Sequence, residues 1–268
     1  MNMTREWSVW RRIRNGVGRG IIRRRIAWTL LALTVFSIGI WRVQAQQELP
    51  RVENRFTLAR IRFSTSFFGF GRRGRGGGGQ PPWSHDWPAS EENFMKILAE
   101  VTKLDVNPGG HIISFENEDV FKYPIAYLCE VGYMQLSETE AHNMREYLLR
   151  GGFLIVDDFR GPNELYNFIN QLRLVFPDRS LEELPRDHPI FTCFYDISKL
   201  DLEPPYSRNF QPQYLGMKDD AGRLMMVVNY NNDISDYWEW SADPFYNFQD
   251  TNEGFKYGVN YILYALTH

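Results

Sequence analysis

The stretch that most constrains the fold is Gly151-Gly152-Phe153-Leu154-Ile155-Val156-Asp157-Asp158, near the middle of the chain. Its four consecutive apolar residues, 153–156, favour a strand that is buried on both faces of a parallel sheet. Two adjacent carboxylates, Asp157 and Asp158, end this run. Because ligands in open α/β sheets bind beyond the carboxyl ends of the strands, the sequence predicts a site there.

The first 45 residues predict export. They hold nine of the 30 basic residues and one of the 33 acidic ones, so the leader is near +8 and the rest of the chain near −11. A basic region precedes an apolar run at 26–41, and Val43-Gln44-Ala45 is typical of a cleavage site. A cleaved signal peptide is the first interpretation, and an uncleaved N-terminal membrane anchor through 26–41 is the alternative. Both place the body outside the cytoplasm, in the periplasm or beyond.

The body is read as a linker at 46–55 followed by a single α/β domain at 56–268. Residues 69–82 form a Gly- and Arg-rich stretch that lacks the Gly-Lys-Ser/Thr signature of a phosphate loop and leads into prolines. A flexible insertion is therefore predicted. The acidic body also argues against nucleic acid as a partner, because phosphate binding depends on Lys and Arg. The membrane is expected to be contacted only through the N-terminal segment.

Hydrophobic periodicity and turn signals predict the remaining elements. Strands are predicted at 56–63, 112–115 and 125–128, a strand entered at 190–191, and a C-terminal hairpin at 216–229. Helices are predicted from Ser90 to Leu104, from the capping box of Ser137 and Glu140 to 150, from Pro162 to Phe176, and at 252–266. Cys129 is read as a buried free thiol, although a disulfide with Cys193 is the alternative.

Three residues are candidate catalytic groups: Asp157, Asp158 and His188. Asp157 or Asp158 with His188, joined by Asp86 and His85, would form an acid/base pair or a metal site. An Asp–His pair can activate water, and carboxylate and imidazole ligands suit several divalent metals. The competing interpretation is structural. Asp158 is suited to cap the following helix, and His188 precedes a proline in a turn.

A second set of residues is predicted to bind a ligand. His85 and Asp86 precede the first helix, and an Asn- and Trp-rich stretch follows the hairpin; the candidates in that stretch are Asn231, Asp233, Trp238 and Glu239. Acceptors mixed with flat aromatic surfaces are typical of a small polar or glycan site. The alternative is that these aromatic residues belong to the core.

Five motifs together resemble a bacterial family, the domain of unknown function 4159. They are Trp83-Ser84-His85-Asp86-Trp87-Pro88, Arg145–Asp158, Asp187-His188-Pro189-Ile190-Phe191, Asn231–Glu239 and Tyr257-Gly258-Val259-Asn260-Tyr261. More distantly, the chain is similar to class I glutamine amidotransferase-like domains of the trehalose-utilisation type. That resemblance implies a flavodoxin-like three-layer α/β sandwich with a mostly parallel sheet. Where such an amidotransferase carries its cysteine nucleophile, this chain has Asp157 and Asp158.

These observations predict an exported, non-catalytic module that binds a small polar or glycan ligand or an envelope protein. No cofactor is expected, although a divalent metal is compatible with the residues. The alternative function is an Asp/His-dependent hydrolase, with or without a metal, acting on carbohydrate. A scaffold that works through a protein interface is the third interpretation.

Overall fold

The apolar run at 153–156 lies at the centre of a seven-stranded sheet in the computed structural model, which describes residues 55–65, 80–197, 200, 202, 210–244 and 246–268. These residues belong to one compact unit, 55–268. The predicted leader, most of the predicted linker and residues 69–79 of the predicted insertion lie outside the described residues. None of the helices formed by the described residues is long and apolar enough to cross a membrane.

The strands, in chain order, are β1 (Ala59–Ile61), β2 (Ser64–Thr65), β3 (His111–Ile113), β4 (Ile125–Cys129), β5 (Met134–Gln135), β6 (Phe153–Phe159), β7 (Glu182–Glu183), β8 (Gln213–Lys218) and β9 (Leu224–Tyr230). The α-helices are α1 (Ala89–Val101), α2 (Glu138–Leu149), α3 (Gly161–Val175), α4 (Ile234–Glu239) and α5 (Phe248–Thr267).

The large sheet is mostly parallel, which confirms the predicted α/β class. Its strand order is β3-β1-β4-β6-β9-β8-β7, and the first five strands run in the same direction. β8 pairs antiparallel with β9 in the predicted hairpin, and β7 adds to its outer edge. The short strands β2 and β5 form a separate antiparallel pair.

Helices cover both faces of this sheet because alternate side chains of each strand point to opposite sides. On one face, α1 and α5 pack against Tyr127, Ile155 and Val227. On the other face, α2 and α3 pack against Val156 and Val228. Every residue of β6 is buried, as predicted for a central strand.

Three local predictions need correction. β6 does not end at Val156 but continues through both aspartates to Phe159. The segment after His188 is a 3-10 helix, Pro189–Phe191, rather than the start of a strand. The Asn- and Trp-rich stretch, for which no helix was predicted, contains the helix α4.

Candidate functional site

The carboxyl ends of β4, β6 and β9 meet the loop before α1 and the start of α4, and acidic side chains concentrate there. β4 ends in Cys129 and is followed by Glu130, and β6 carries Asp157 and Asp158. Asp86 lies in the loop that leads into α1. Asp233, Asp236 and Glu239 come from α4 and its N-cap. We call these residues, together with His85 beside Asp86, the carboxyl-edge cluster.

Backbone conformation marks the same edge. Among the described residues other than glycine, four have positive φ: Asp86 at 63°, Glu130 at 48°, Asp158 at 51° and Asn231 at 61°. This left-handed region is costly for residues with a side chain, and such residues gather at functional sites. The pairing of β6 with β9 also shifts register between Val156 and Phe159. The bulge turns the strand, so Asp157 and Asp158 both contribute to the cluster.

Asp157 is a structural anchor for α4. Its Oδ2 accepts hydrogen bonds from the Tyr127 hydroxyl at 2.6 Å and from the backbone N–H groups of Ile234 at 2.8 Å and Ser235 at 3.0 Å. The side chain is wholly buried. Burial raises the pKa of Asp157 to about 7, although the hydrogen bond from Tyr127 opposes the rise.

Asp158 faces His85 instead. The imidazole Nδ1 of His85 lies 2.9 Å from Oδ2 of Asp158 and 3.0 Å from Oδ1 of Asp86. The thiol of Cys129 lies 3.7 Å from the same oxygen of Asp158. The histidine side chain is 28% exposed, whereas the side chains of Asp86 and Asp158 are 1% and 6% exposed. His85 is therefore the solvent-facing member of this group.

A second group of carboxylates shares Asp86. One carboxylate oxygen from each of Asp86, Asp233 and Asp236 lies within 4.8 Å of the others. The Ser235 hydroxyl lies 2.7 Å from Oδ2 of Asp86 and 3.1 Å from Oδ1 of Asp233. A hydroxyl has one proton, so it can donate to one of these oxygens at a time.

The crowded carboxylates change one another's proton affinity. Burial, followed by the charge of Asp158, raises the pKa of Glu130 to about 8. Burial, followed by the charge of Asp86, raises the pKa of Glu239 to about 8 and that of Asp236 to about 7. Burial also raises the pKa of Asp233 well above its usual range. Crowding and burial thus favour the neutral, protonated forms of these carboxyl groups.

His85 is the one group of the cluster that carries compensating charge. Burial by itself would lower the pKa of His85, but the adjacent carboxylates of Asp158 and Asp86 outweigh it and raise the pKa to about 12. The pKa of Asp86 is lowered, because its contacts with His85 and Ser235 outweigh the effect of burial.

A buried ion pair fixes the His85 loop. Arg60 of β1 is wholly buried and pairs with Glu91 at the start of α1. Its Nη1 donates to the carbonyl of His85 at 3.2 Å, and its Nη2 lies 3.3 Å from the Ser90 hydroxyl. The buried charge of Arg60 thus has its ion-pair and hydrogen-bond partners within this loop and the start of α1.

The structure does not bring His188 to this edge. His188 packs on Tyr264, whose ring also contacts Phe153 at the start of β6. Asp158 lies five residues beyond Phe153 on this strand, so at roughly 3.3 Å per residue the two residues are about 16 Å apart. The nitrogen Nδ1 of His188 accepts a hydrogen bond from Ile190 and caps the short 3-10 helix.

The predicted ligand-binding residues divide into two sets. His85, Asp86, Asp233 and Glu239 lie in the carboxyl-edge cluster. Trp238 lies in the core, where it is 1% exposed, stacks on Phe94 at 4.3 Å and donates to the carbonyl of Gly254. Asn231 joins two segments, since its side chain accepts from the N–H of Gly161 and donates to the carbonyl of Gln211. Asn231, rather than Asp158, therefore receives the first N–H of α3.

Two members of the site were missed at the sequence level. Glu130 follows β4, so the rule that sites form at strand ends identifies it once β4 is placed beside β6. Arg60 alternates with apolar residues in a pattern typical of a solvent-facing strand position. No signal in the sequence distinguishes it from its exposed neighbours.

The fold and site define a mixed α/β domain with an acidic, imidazole-containing centre at the carboxyl edge of its sheet. The model of one family, described as domain of unknown function (DUF4159), matches residues 59–266. The chain belongs to this family. A search of curated proteins finds no match.

Proposed function

We propose that this chain is an exported hydrolase. Its active site would be the group of His85, Asp86 and Asp158 at the carboxyl edge, where the substrate binds and water attacks it. The observation that carries this proposal is the placement of the imidazole against two carboxylates, at 2.9 and 3.0 Å. Carboxylates that hold one ring nitrogen orient an imidazole toward its substrate.

Accessibility supports the same assignment. The two carboxylates are nearly buried, and the imidazole is the part of the group that is open to solvent. The buried pair of Arg60 and Glu91 holds the loop through the backbone carbonyl of His85. This contact fixes the loop and leaves the exposed side of the imidazole free for a substrate. A substrate arriving from solvent therefore meets His85 first.

Thiol chemistry is not part of the proposal. We infer a flavodoxin-like, amidotransferase-like architecture that lacks the cysteine nucleophile of working amidotransferases. Cys129 is a free thiol at the end of β4, wholly buried, and burial raises its pKa well above the usual value. A buried, protonated thiol is a poor nucleophile.

The expectation of a non-catalytic glycan-binding module has less support. That interpretation needs exposed aromatic faces, and of the two tryptophans in the stretch Trp238 is in the core and only Trp240 is exposed. The amide of Asn231 is engaged within the protein. Carbohydrate remains the proposed substrate class, because a crowded group of carboxylates repels anionic substrates and accepts hydroxyl groups.

The test is a hydrolysis assay of the purified full-length chain on 4-methylumbelliferyl glycosides and p-nitrophenyl acetate. The wild type is expected to hydrolyse at least one glycoside, and His85→Gln or Asp158→Asn to lower kcat/KM at least about 100-fold. His188→Asn is the matched control and should stay within about twofold of wild type. Absence of turnover with every probe, or equal activity in all four proteins, would overturn the proposal.

A further inference from the structure

We propose that the carboxyl edge binds one divalent cation of the zinc class through four side chains, an assignment that rests on the proposed hydrolase function for its catalytic role. The four ligands are His85, Asp86, Cys129 and Asp158. They come from three separate parts of the chain: the loop before α1, the end of β4 and the bulge of β6.

The distances between the ligand atoms fit a tetrahedral ion. One ligand atom of each residue lies within 4.8 Å of the other three. Zinc bonds of about 2.0–2.3 Å place tetrahedral ligands about 3.3–3.7 Å apart. The imidazole nitrogen lies 2.9 and 3.0 Å from its two carboxylate oxygens, and the thiol sulfur lies 3.7 Å from the oxygen of Asp158. These three distances therefore lie within about 0.4 Å of the tetrahedral spacing, and the other three pairs of ligand atoms lie within 4.8 Å of each other.

The imidazole nitrogen is itself an independent indication. Nδ1 of His85 is a buried atom close to two oxygens, yet its N–H direction forms a well-aligned hydrogen bond with neither. Native structures seldom leave buried polar atoms without an aligned partner. A nitrogen that faces the space between two carboxylates and a thiol is placed as a metal ligand is.

The surroundings tolerate an added positive charge. Arg60, a buried cation whose charge acts on Asp86 and Cys129, is paired with Glu91. Further carboxylates surround the ligands, and those of Glu130, Asp233 and Glu239 interact with the charges of Asp86 or Asp158. A divalent ion would replace the proton of His85 as the positive charge that offsets the carboxylates of Asp86 and Asp158, and that proton would leave to solvent.

The donor atoms select the class of cation. Imidazole and thiolate with two carboxylates suit zinc or cobalt, whereas magnesium and calcium prefer oxygen alone. An all-oxygen set is available nearby in Asp86, Asp233 and Asp236. Asp233 is wholly buried and its Oδ2 lacks a hydrogen-bond partner. The experiment must therefore distinguish the sulfur-containing set from the oxygen set.

Cobalt provides this distinction because a thiolate ligand produces a charge-transfer band in the near ultraviolet. The full-length chain is treated with EDTA, dialysed, and titrated with Co²⁺ and then with Zn²⁺. We expect one cobalt ion per chain, a thiolate band, displacement by zinc and a higher melting temperature with either metal. Cys129→Ser should remove the band, and His85→Gln should weaken binding at least about tenfold.

Asp233→Asn is the matched variant of the oxygen set and should keep the band and the stoichiometry. Circular dichroism of each variant checks that it folds. If Cys129→Ser does not fold, His85→Gln still tests the site, because His85 is partly exposed and its replacement should leave the fold intact. Absence of bound cobalt, or binding that is lost in Asp233→Asn but unchanged in His85→Gln, would overturn the site. Zinc binding without hydrolysis would instead overturn the proposed function and leave the cation site standing. Hydrolysis by the fully metal-free protein would overturn the catalytic role of the ion alone.

Discussion

Asp157 and Asp158 are consecutive residues whose carboxylates have different partners. The hydroxyl of Tyr127 donates to Asp157 at 2.6 Å, whereas the imidazole of His85 lies 2.9 Å from Asp158. The left-handed backbone of Asp158 and the register shift beside it separate the two side chains. One aspartate therefore holds the fold together, and its neighbour contributes to the candidate site.

Asp157→Ala should destabilise the protein far more than Asp158→Ala. It removes the acceptor for three buried donors, the Tyr127 hydroxyl and the N–H groups of Ile234 and Ser235. Each buried donor left without a partner costs about 1–3 kcal/mol, so we expect a loss of at least about 3 kcal/mol. Urea denaturation followed by circular dichroism measures it. Equal losses in the two variants would contradict the division of roles.

Arg60→Met should likewise be strongly destabilising, because it leaves the carboxylate of Glu91 buried without its partner. Breaking a buried ion pair from one side costs about 3–5 kcal/mol, whereas replacing both partners by apolar residues is often close to neutral. The double variant Arg60→Met/Glu91→Met should therefore be more stable than Arg60→Met.

Arg55→Met is the matched control, since Arg55 forms an exposed pair with Asp105. Exposed pairs contribute less than about 1 kcal/mol. Thermal unfolding of the four proteins tests the expected order. A double variant that is no more stable than Arg60→Met would contradict the expectation that an unpaired, buried Glu91 causes the loss.

The parts of the fold that were predictable from sequence are those set by local patterns. The continuous apolar run of β6, the capping box of Ser137 and Glu140, and the Asp219–Gly222 turn between β8 and β9 each carry their own signal. In the capping box, Ser137 Oγ accepts from the N–H of Glu140, and the Glu140 carboxylate accepts from the N–H of Ser137. Such contacts involve residues three apart, so the sequence contains all the information they need.

The site was only partly predictable, because its contacts join distant parts of the chain. The strand-end rule located Asp158, but the partner of Asp158 is His85, 73 positions earlier, and not His188. Two histidines before or near prolines look alike in sequence, and only the sheet order decides which one reaches the carboxyl edge. The burial of Arg60 likewise depends on Glu91, which the strand pattern does not contain.

His188→Asn should change how stability depends on pH. Burial, followed by the charge of Lys218, lowers the pKa of His188; His268 acts in the same direction and Asp187 opposes it. The unfolded chain therefore takes up this proton at a higher pH than the folded chain. Below the ordinary histidine pKa of about 6.5, protonation favours the unfolded state, and above it the residue adds no pH dependence.

Asparagine keeps an acceptor for the N–H of Ile190 and does not titrate. The melting temperature of His188→Asn relative to wild type should therefore rise as the pH is lowered from about 7.5 to about 5. Differential scanning calorimetry at matched ionic strength measures the difference. A difference that stays constant over this range would show that His188 has the same proton affinity in both states.

Trp238→Ala and Trp240→Ala distinguish a core role from a ligand-binding role for the Trp-rich stretch. Trp238 is buried, stacks on Phe94 and donates to the carbonyl of Gly254, so its loss should cost about 3–5 kcal/mol. Trp240 is 44% exposed, and its replacement should change the free energy of unfolding by about 0.5 kcal/mol or less. Urea unfolding monitored by circular dichroism compares the two variants.

Comparable stabilities of the two tryptophan variants would mean that the indole of Trp238 is not part of the core. Asp233, Asp236 and Glu239 lie within five positions of Trp238 in the sequence. The buried indole fixes α4 against α1 and α5, and this helix then presents its carboxylates to Asp86. Aromatic packing in this stretch therefore sets the position of the carboxyl groups of α4.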